Sequence, residues 1–329
     1  MCTAITLQSG QKENYFGRTM DFSFGIEPEV YVVYQNYEWY NAIDGQVFSD
    51  RYGFLGIGQE SEGILAFFDG VNEKGFAAAA LYFAGCAEYG TRIGAGKEPV
   101  ASVDFLHYIL GKCASVDELG TLLQKVSLIG LQDPVTETVA PLHWIAADAN
   151  GKCAVIEQTK RGLELFENPI GVLANSPGFQ WHMTNLRNYL GVSPRQDREA
   201  VWGETRLTPF GQGGGTGMLP GGYTSPERFV RAAYQKTHVP ATKSRRDAIV
   251  SCFHIMDGVT IPKGVVITDR NTCDYTKYTA FINTNTCEYF FKTYDNSRIT
   301  TVSLWENYRY SAQPICLGKL ARPAVFDRM

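Results

Sequence analysis

The sequence predicts an α+β fold in which packed β-sheets are covered by helices. Three observations predict it. Short alternating or apolar runs outnumber helical ones, two pairs of these runs flank turn signals, and several segments open with helix-start residues. At the N-terminus, Thr3-Ala-Ile-Thr-Leu7 alternates polar and apolar side chains as a half-buried strand does. Residues 8–14 are polar and read as a turn, after which Tyr15-Phe-Gly-Arg-Thr-Met-Asp-Phe22 returns as a second strand. Further strands are expected at 30–34, 52–57 and 75–83. The runs 142–147 and 154–157 flank Ala149-Asn-Gly-Lys152, whose Asn-Gly step is a strong hairpin signal. A second hairpin joins 278–283 to 288–293. Helices are expected at 103–110 and after Ser115, where Glu118 stands three residues on as a capping box requires. A third starts at Ser225, with Ser as N-cap and Pro226 in the first helical position, and 247–256 is a fourth. No repeat or linker divides the chain, so residues 1–329 read as a single domain.

Composition fits a soluble enzyme. The chain is 44% hydrophobic and 13% aromatic, enough for a sizeable core, and its net charge of −4 gives no electrostatic footprint for nucleic acid or an anionic membrane. No signal sequence and no apolar run of membrane-spanning length are present, so the expected location is the cytoplasm. The eight cysteines include no C-x-x-C pair and read as free, mostly buried thiols. The five histidines form no ligand cluster, so neither a metal nor a cofactor is implied. His143 and His182 read as satisfied structural histidines, although a Cys/His dyad remains an open alternative.

Cys2 is the candidate nucleophile. Its small side chain makes Met1 a good substrate for removal, and trimming leaves a thiol and a free α-amine on one residue. An α-amine titrates near ~8 and a thiol near ~8.5, so small environmental shifts yield a base and a thiolate at neutral pH. Arg18 and Asp21 fall opposite the chain start on the second strand. An arginine there stabilises a thiolate and an aspartate holds an amine; the alternative is a surface ion pair of little energetic value. An amide carbonyl attacked by Cys2 needs oxyanion donors. Asn175, in Ala174-Asn-Ser-Pro177, offers a side-chain amide from an irregular segment, unless it serves only a turn. The glycine-dense stretch from Gly211 to Gly222 lacks the Gly-Lys-Ser/Thr of a phosphate loop and reads as a mobile loop bordering a pocket.

The chain resembles the choloylglycine hydrolases, which comprise bile salt hydrolases and penicillin V acylases. The motifs carrying the resemblance run along nearly the whole chain. They include Met1-Cys-Thr, Phe16-Gly-Arg-Thr-Met-Asp21, Asp69-Gly-Val-Asn-Glu-Lys-Gly75, Pro141-Leu-His-Trp144 and Gly171-Val-Leu-Ala-Asn-Ser-Pro-Gly178. Arg228-Phe-Val-Arg231, Ile261-Pro-Lys-Gly264 and Tyr294-Asp-Asn-Ser-Arg298 follow in the C-terminal half. The resemblance implies a four-layer αββα sandwich, the N-terminal-nucleophile hydrolase fold. It implies that Asn175 and the backbone N–H of Tyr82 form the oxyanion hole, that Arg18 supports the thiol, and that Asp21 contacts the amine. It also puts Arg228 in the site, a residue that otherwise reads as a solvated helix charge. An excursion over about 188–219 is implied to reach a neighbouring subunit in a homotetramer.

The expected activity is therefore cofactor-free hydrolysis of a small-molecule amide through a Cys2 thioester, with conjugated bile salts ranked first. Penicillin V is the alternative substrate, because family acylases carry Tyr at the position of Tyr82 where bile salt hydrolases usually carry Asn. Lipid amides such as acyl homoserine lactones are another enzyme reading. A binding or scaffold protein that retains Met1 is the non-enzyme reading.

Overall fold

The structure, a computed structural model, describes residues 1–329 apart from 62, 134, 197, 198, 325 and 327–329. Two antiparallel sheets dominate it. The six-stranded sheet has the spatial order Val172–Leu173, Cys2–Gln8, Asn14–Phe22, Tyr275–Asn283, Glu288–Thr293, Asn296–Ser303. The eight-stranded sheet has the order Gly162–Glu167, Cys153–Thr159, Leu142–Ala147, Ala77–Tyr82, Ile64–Asn72, Phe54–Ser61, Glu29–Val33, Ile315–Lys319. Helices Ser225–His238 and Arg245–Asp257 cover the outer face of the first sheet, and Phe105–Lys112 packs on the second. The layer order is αββα, as the resemblance implies.

The central strands are buried on both faces, which the alternation at the N-terminus did not foretell. Cys2 through Ile5 are all buried, as is every residue from Tyr15 to Asp21. The polar positions taken for a solvent face lie under the helix layer instead. Helices and hairpins fall where expected, with shifts of one to three residues at their ends. The Leu142–Ala147 and Cys153–Thr159 strands pair across the Asn150-Gly151 turn, and Tyr275–Asn283 pairs with Glu288–Thr293. Ser115 caps Val116–Leu123 by accepting from the Glu118 N–H at 3.2 Å, while the Glu118 carboxylate takes the Ala114 N–H. At the third helix the expected cap is off by one residue. Thr224 is the N-cap, donating its N–H and its hydroxyl to Glu227, so Ser225 and Pro226 both lie inside the first turn. Several strands carry no clear sequence signal, among them Asn296–Ser303, whose second to fourth residues are exposed.

One core cluster takes residues from Cys2 to Leu320 and joins both sheets to the two long helices. A second, aromatic cluster lies between the eight-stranded sheet and Phe105–Lys112. Tight turns set the strand ends. Gly75, which ends the Ile64–Asn72 to Ala77–Tyr82 turn, has φ +76°, and an added Cβ there would lie 2.1 Å from the Thr284 carbonyl oxygen. Gly45 has a similar φ, +73°, with open space around it. Gly45→Ala should therefore cost about 1 kcal/mol of conformational strain alone. Gly75→Ala should cost about 3 kcal/mol or more because strain and overlap add. Urea unfolding midpoints for the two variants check this; equal losses would mean that the contact with Thr284 relaxes freely.

Candidate active site

Successive side chains of a strand point to opposite faces, and that rule organises the site. In Asn14–Phe22, Arg18 and Met20 face the space between the sheets, whereas Thr19 and Asp21 face the helix layer. Cys2 sits opposite Met20 and shares its face. Arg18 Nη2 lies 2.7 Å from Cys2 Sγ and 3.0 Å from Met20 Sδ. Arg18 Nη1 donates to the carbonyls of Phe68 and Ala80, both at 3.0 Å and both in the opposing sheet. The guanidinium thus bridges the two sheets with 1% of its residue surface exposed. Asp69 stands behind it at 3.7 Å and accepts from the Tyr278 hydroxyl at 2.5 Å and the Tyr289 hydroxyl at 2.9 Å. Burial, reinforced by the Asp69 charge, pushes both phenols well above their ordinary range, so they stay protonated donors.

The helix-facing side holds the chain start. Arg228 is fully buried and donates through Nη1 to the Cys2 carbonyl and Thr3 Oγ1, both at 2.5 Å, and through Nη2 to Asn175 Oδ1 at 2.6 Å. Asp21 accepts from Thr19 and Thr276, and its Oδ2 lies 3.9 Å from Arg228. Burial raises its carboxyl above the usual range, against the pull of Arg228 and of the terminal ammonium. Met1 is present, and its ammonium donates to the Asp21 carbonyl at 2.7 Å and to Asp274 Oδ2 at 3.0 Å. The Cys2 N–H donates to Asn175 Oδ1 at 2.8 Å.

Asn175 is clamped at every polar atom. Its N–H donates to Ser225 Oγ at 2.8 Å, its carbonyl receives His182 Nε2 at 2.8 Å, and its Nδ2 donates to the Tyr82 carbonyl at 2.7 Å. That leaves one Nδ2 hydrogen over. Phe83 donates its N–H to Pro141, so ladder alternation turns the Tyr82 N–H away from that neighbour and toward the gap beside Ala66 and Phe68. Burial lowers His182 to about 4, which keeps it neutral, and its buried Nδ1 has no partner among the described residues. His143 donates through Nε2 to the Ala174 carbonyl at 3.0 Å and stacks on Phe83.

An apolar cleft opens at Cys2, walled by Met20, Phe22, Phe67, Tyr82, Val135 and Leu142 among others. Among the described residues Asp133 is the one charged member of that wall, and its carboxylate is occupied by the N–H groups of Val135 and Thr136. Chemically, the arrangement is a thiol at the floor of a largely apolar cleft, a guanidinium against its sulfur, and an anchored amide beside it.

The six residues singled out from sequence, Cys2, Arg18, Asp21, Tyr82, Asn175 and Arg228, all fall in this region, but not as one cluster. Arg18 and Asp21, three residues apart, lie on opposite faces of their strand. Neither is a surface ion pair, and Arg228 is not a solvated charge. The Asp21 carboxylate touches threonines here, while the carbonyl holds the terminal amine. No histidine hydrogen-bonds Cys2 Sγ, whose side-chain partner is Arg18. His143 is satisfied; His182 is only half so. The glycine-dense stretch does border a groove, formed with Gln196, Ala200 and Leu207, but contributes nothing to the cleft at Cys2. Asp69, Asp274, Thr276 and Ser225 were missed. A signal existed for Asp69, a charge within the apolar run Phe67-Phe68-Asp69-Gly70-Val71.

Comparison with known proteins shows the family and the fold. The family model described as linear amide C–N hydrolases, choloylglycine hydrolase family, matches residues 2–315. A bile salt hydrolase/transferase of Clostridium perfringens is 32% identical over 308 residues, covering 92% of each chain. The crystal structure of a mutant conjugated bile acid hydrolase from Clostridium perfringens superimposes with a TM-score of 0.92 at 28% identity, over 100% of this chain and 99% of that one. A penicillin V acylase of Pectobacterium atrosepticum is 28% identical over 260 residues, which is 74% of this chain and 63% of that protein.

His182 makes the site's stability sensitive to acid. Its folded value, about 4, lies below the unfolded value near ~6.5, so the unfolded chain binds the extra proton between them. Stability should fall as pH drops through that window, by up to about 1.4 kcal/mol per unit. Urea midpoints for wild type and His182→Asn across pH 4 to 7 test this; an unchanged acid slope in the variant rules His182 out as its source.

Proposed function

The chain belongs to the choloylglycine hydrolase family of linear amide C–N hydrolases, and from that premise we propose that it cleaves conjugated bile salts through Cys2. The observation that carries the reading is the Cys2 sulfur at the floor of an apolar cleft, 2.7 Å from a guanidinium whose carboxylate neighbour stays at 3.7 Å. That contact puts a positive charge where negative charge gathers on the sulfur during attack.

In the proposed mature enzyme, a single domain, Met1 is removed and the Cys2 α-amine is free beside Asn175. The amine takes the thiol proton and the thiolate attacks the amide carbon, forming a C–S bond. The resulting oxyanion takes hydrogen bonds from the spare Asn175 Nδ2 hydrogen and from the Tyr82 N–H. The C–N bond then breaks as the α-ammonium returns its proton to the leaving amine. Water, deprotonated by the α-amine, attacks the thioester; a C–O bond forms, the C–S bond breaks, and the free acid leaves. Arg228 holds Asn175 and the Cys2 carbonyl in one frame throughout, and Asp21 keeps that cation buried by partial charge compensation. No step calls on a cofactor.

Bile salts rank first because the bile salt hydrolase relative matches more of the chain at higher identity than the acylase does. Penicillin V is the second reading, favoured by the phenolic side chain of Tyr82 in the cleft wall. The form we propose is a bacterial, cytoplasmic homotetramer. Supporting it, the 188–219 excursion, of which 197 and 198 lie outside the described residues, exposes Leu190, Trp202 and Phe210 at 86%, 75% and 113%. Apolar surface of that kind marks an interface.

Five measurements bear on these proposals. Intact mass of purified protein should lack Met1, and Cys2→Ala should abolish turnover; activity in the variant sinks the mechanism. Asn175→Ala should lower kcat by roughly 10²–10³ by removing an oxyanion donor. With the trimmed enzyme, kcat/KM for glycocholate and taurocholate should exceed that for penicillin V, and the reverse order makes the protein an acylase. Light scattering should give a tetramer for wild type and smaller species for Trp202→Ser combined with Phe210→Ser; an unchanged mass places the interface elsewhere.

A further inference from the structure

The bile salt reading leaves one requirement unmet by the residues described so far. A conjugated bile salt carries a carboxylate or sulfonate only a few bonds beyond the scissile nitrogen, and that anion needs a partner. The cleft cannot receive it. Among the described residues its wall holds no cation, only the neutral polar Gln59, Ser61 and Thr136 and the acidic Asp133 in an otherwise apolar lining, and bringing a second anion into such a space costs both desolvation and repulsion. Arg18 and Arg228 are spent on Cys2, Asn175 and backbone carbonyls, and neither reaches solvent.

A suitable cation stands just outside. Arg270 lies flat over Phe24, with its guanidinium carbon 3.7 Å from the ring centroid, and donates through Nη2 to Ser23 Oγ at 2.7 Å. Phe24 in turn packs at 5.1 Å on Phe22, which lines the cleft. Arg270 is thus one aromatic ring removed from the cleft wall, and near enough to Tyr82 for its charge to oppose the rise that burial imposes on that phenol. It is exposed, and Ser23 is the only hydrogen-bond partner of its guanidinium among the described residues. The neighbouring cations Lys263 and Lys277 are drawn instead over the ring of Tyr275.

We infer that Arg270 is a specificity-determining residue that binds the acidic group on the amine half of the substrate at the mouth of the cleft, leaving the apolar acyl body to enter. The ring of Phe24 fixes the plane of the fork, and a planar fork accepts carboxylate and sulfonate oxygens alike. Asp133 inside and Arg270 outside give the cleft a polarity that orients the substrate with its amide over Cys2. The inference rests on the amidase reading above and adds the anion partner to it.

The test compares glycocholate with its glycine methyl ester, the same amide without the charge, on the Met1-trimmed enzyme. Arg270→Gln should raise KM for glycocholate roughly ten-fold or more, with kcat little changed. The methyl ester should be hydrolysed within two-fold of wild type (roughly the scatter of such comparisons). Added salt should erode the wild-type preference for the anion because an exposed charge is screened. Lys152→Gln removes the same charge at the far end of the Cys153–Thr159 strand and should change nothing. Equal losses on both amides, or no loss on either, overturns the assignment of Arg270. Wild-type enzyme that cleaves neither amide overturns the amidase reading itself, and this inference with it.

Discussion

The Arg18 guanidinium is the contact on which the rest of the architecture turns. It reaches from the six-stranded sheet to two carbonyls of the eight-stranded one while its third nitrogen direction meets the Cys2 sulfur. A charge so fully removed from water is tolerable only when hydrogen-bonded on all sides. Two backbone carbonyls, the Thr19 carbonyl at Nε, two sulfurs and a nearby carboxylate supply that. The spacing between the sheets at this end is thereby tied to the length of one side chain. The cleft exists because the sheets are held at that spacing rather than packed shut.

Around this bridge the pleat of one strand separates two tasks. Odd and even residues of Asn14–Phe22 serve different chambers: sulfur chemistry between the sheets, and the amine, Asn175 and Arg228 under the helices. Cys2 belongs to both, with its thiol in one chamber and its nitrogen in the other. A nucleophile whose base is its own backbone nitrogen suits such a divide, since the two groups sit on either side of one Cα. The cations are also divided, one to each chamber, so the guanidinium repulsion that a single pocket would suffer is avoided.

The sequence carried the outline of this well and its details poorly. The first two strands, the Asn-Gly hairpin and the four main helices were legible from alternation, turn chemistry and caps, because those signals are local. Burial on both faces of Cys2–Gln8 was not, since a threonine under a helix and a threonine in water look alike in sequence. The cap at Ser225 was misplaced by one residue because Thr224 and Ser225 are equally good caps, and Glu227 chose the former. Cys2, Arg18 and Asn175 stood out by residue type and position. Asp274 and Thr276 did not, because their contribution depends on the pairing of Tyr275–Asn283 with Asn14–Phe22, a contact across some 250 residues.

That one-residue displacement has a thermal consequence. Since Thr224 caps the helix, the Ser225 hydroxyl is released to hold the Asn175 N–H, so a helix terminus anchors the amide beside the nucleophile. Helix ends fray at free energies far below that of global unfolding. Loosening the first turn of Ser225–His238 releases the Asn175 N–H and moves Arg228, three residues further along the same turn, leaving Asn175 to its His182 and Tyr82 contacts. Fraying at this one helix end is therefore expected to cost activity before it costs the fold.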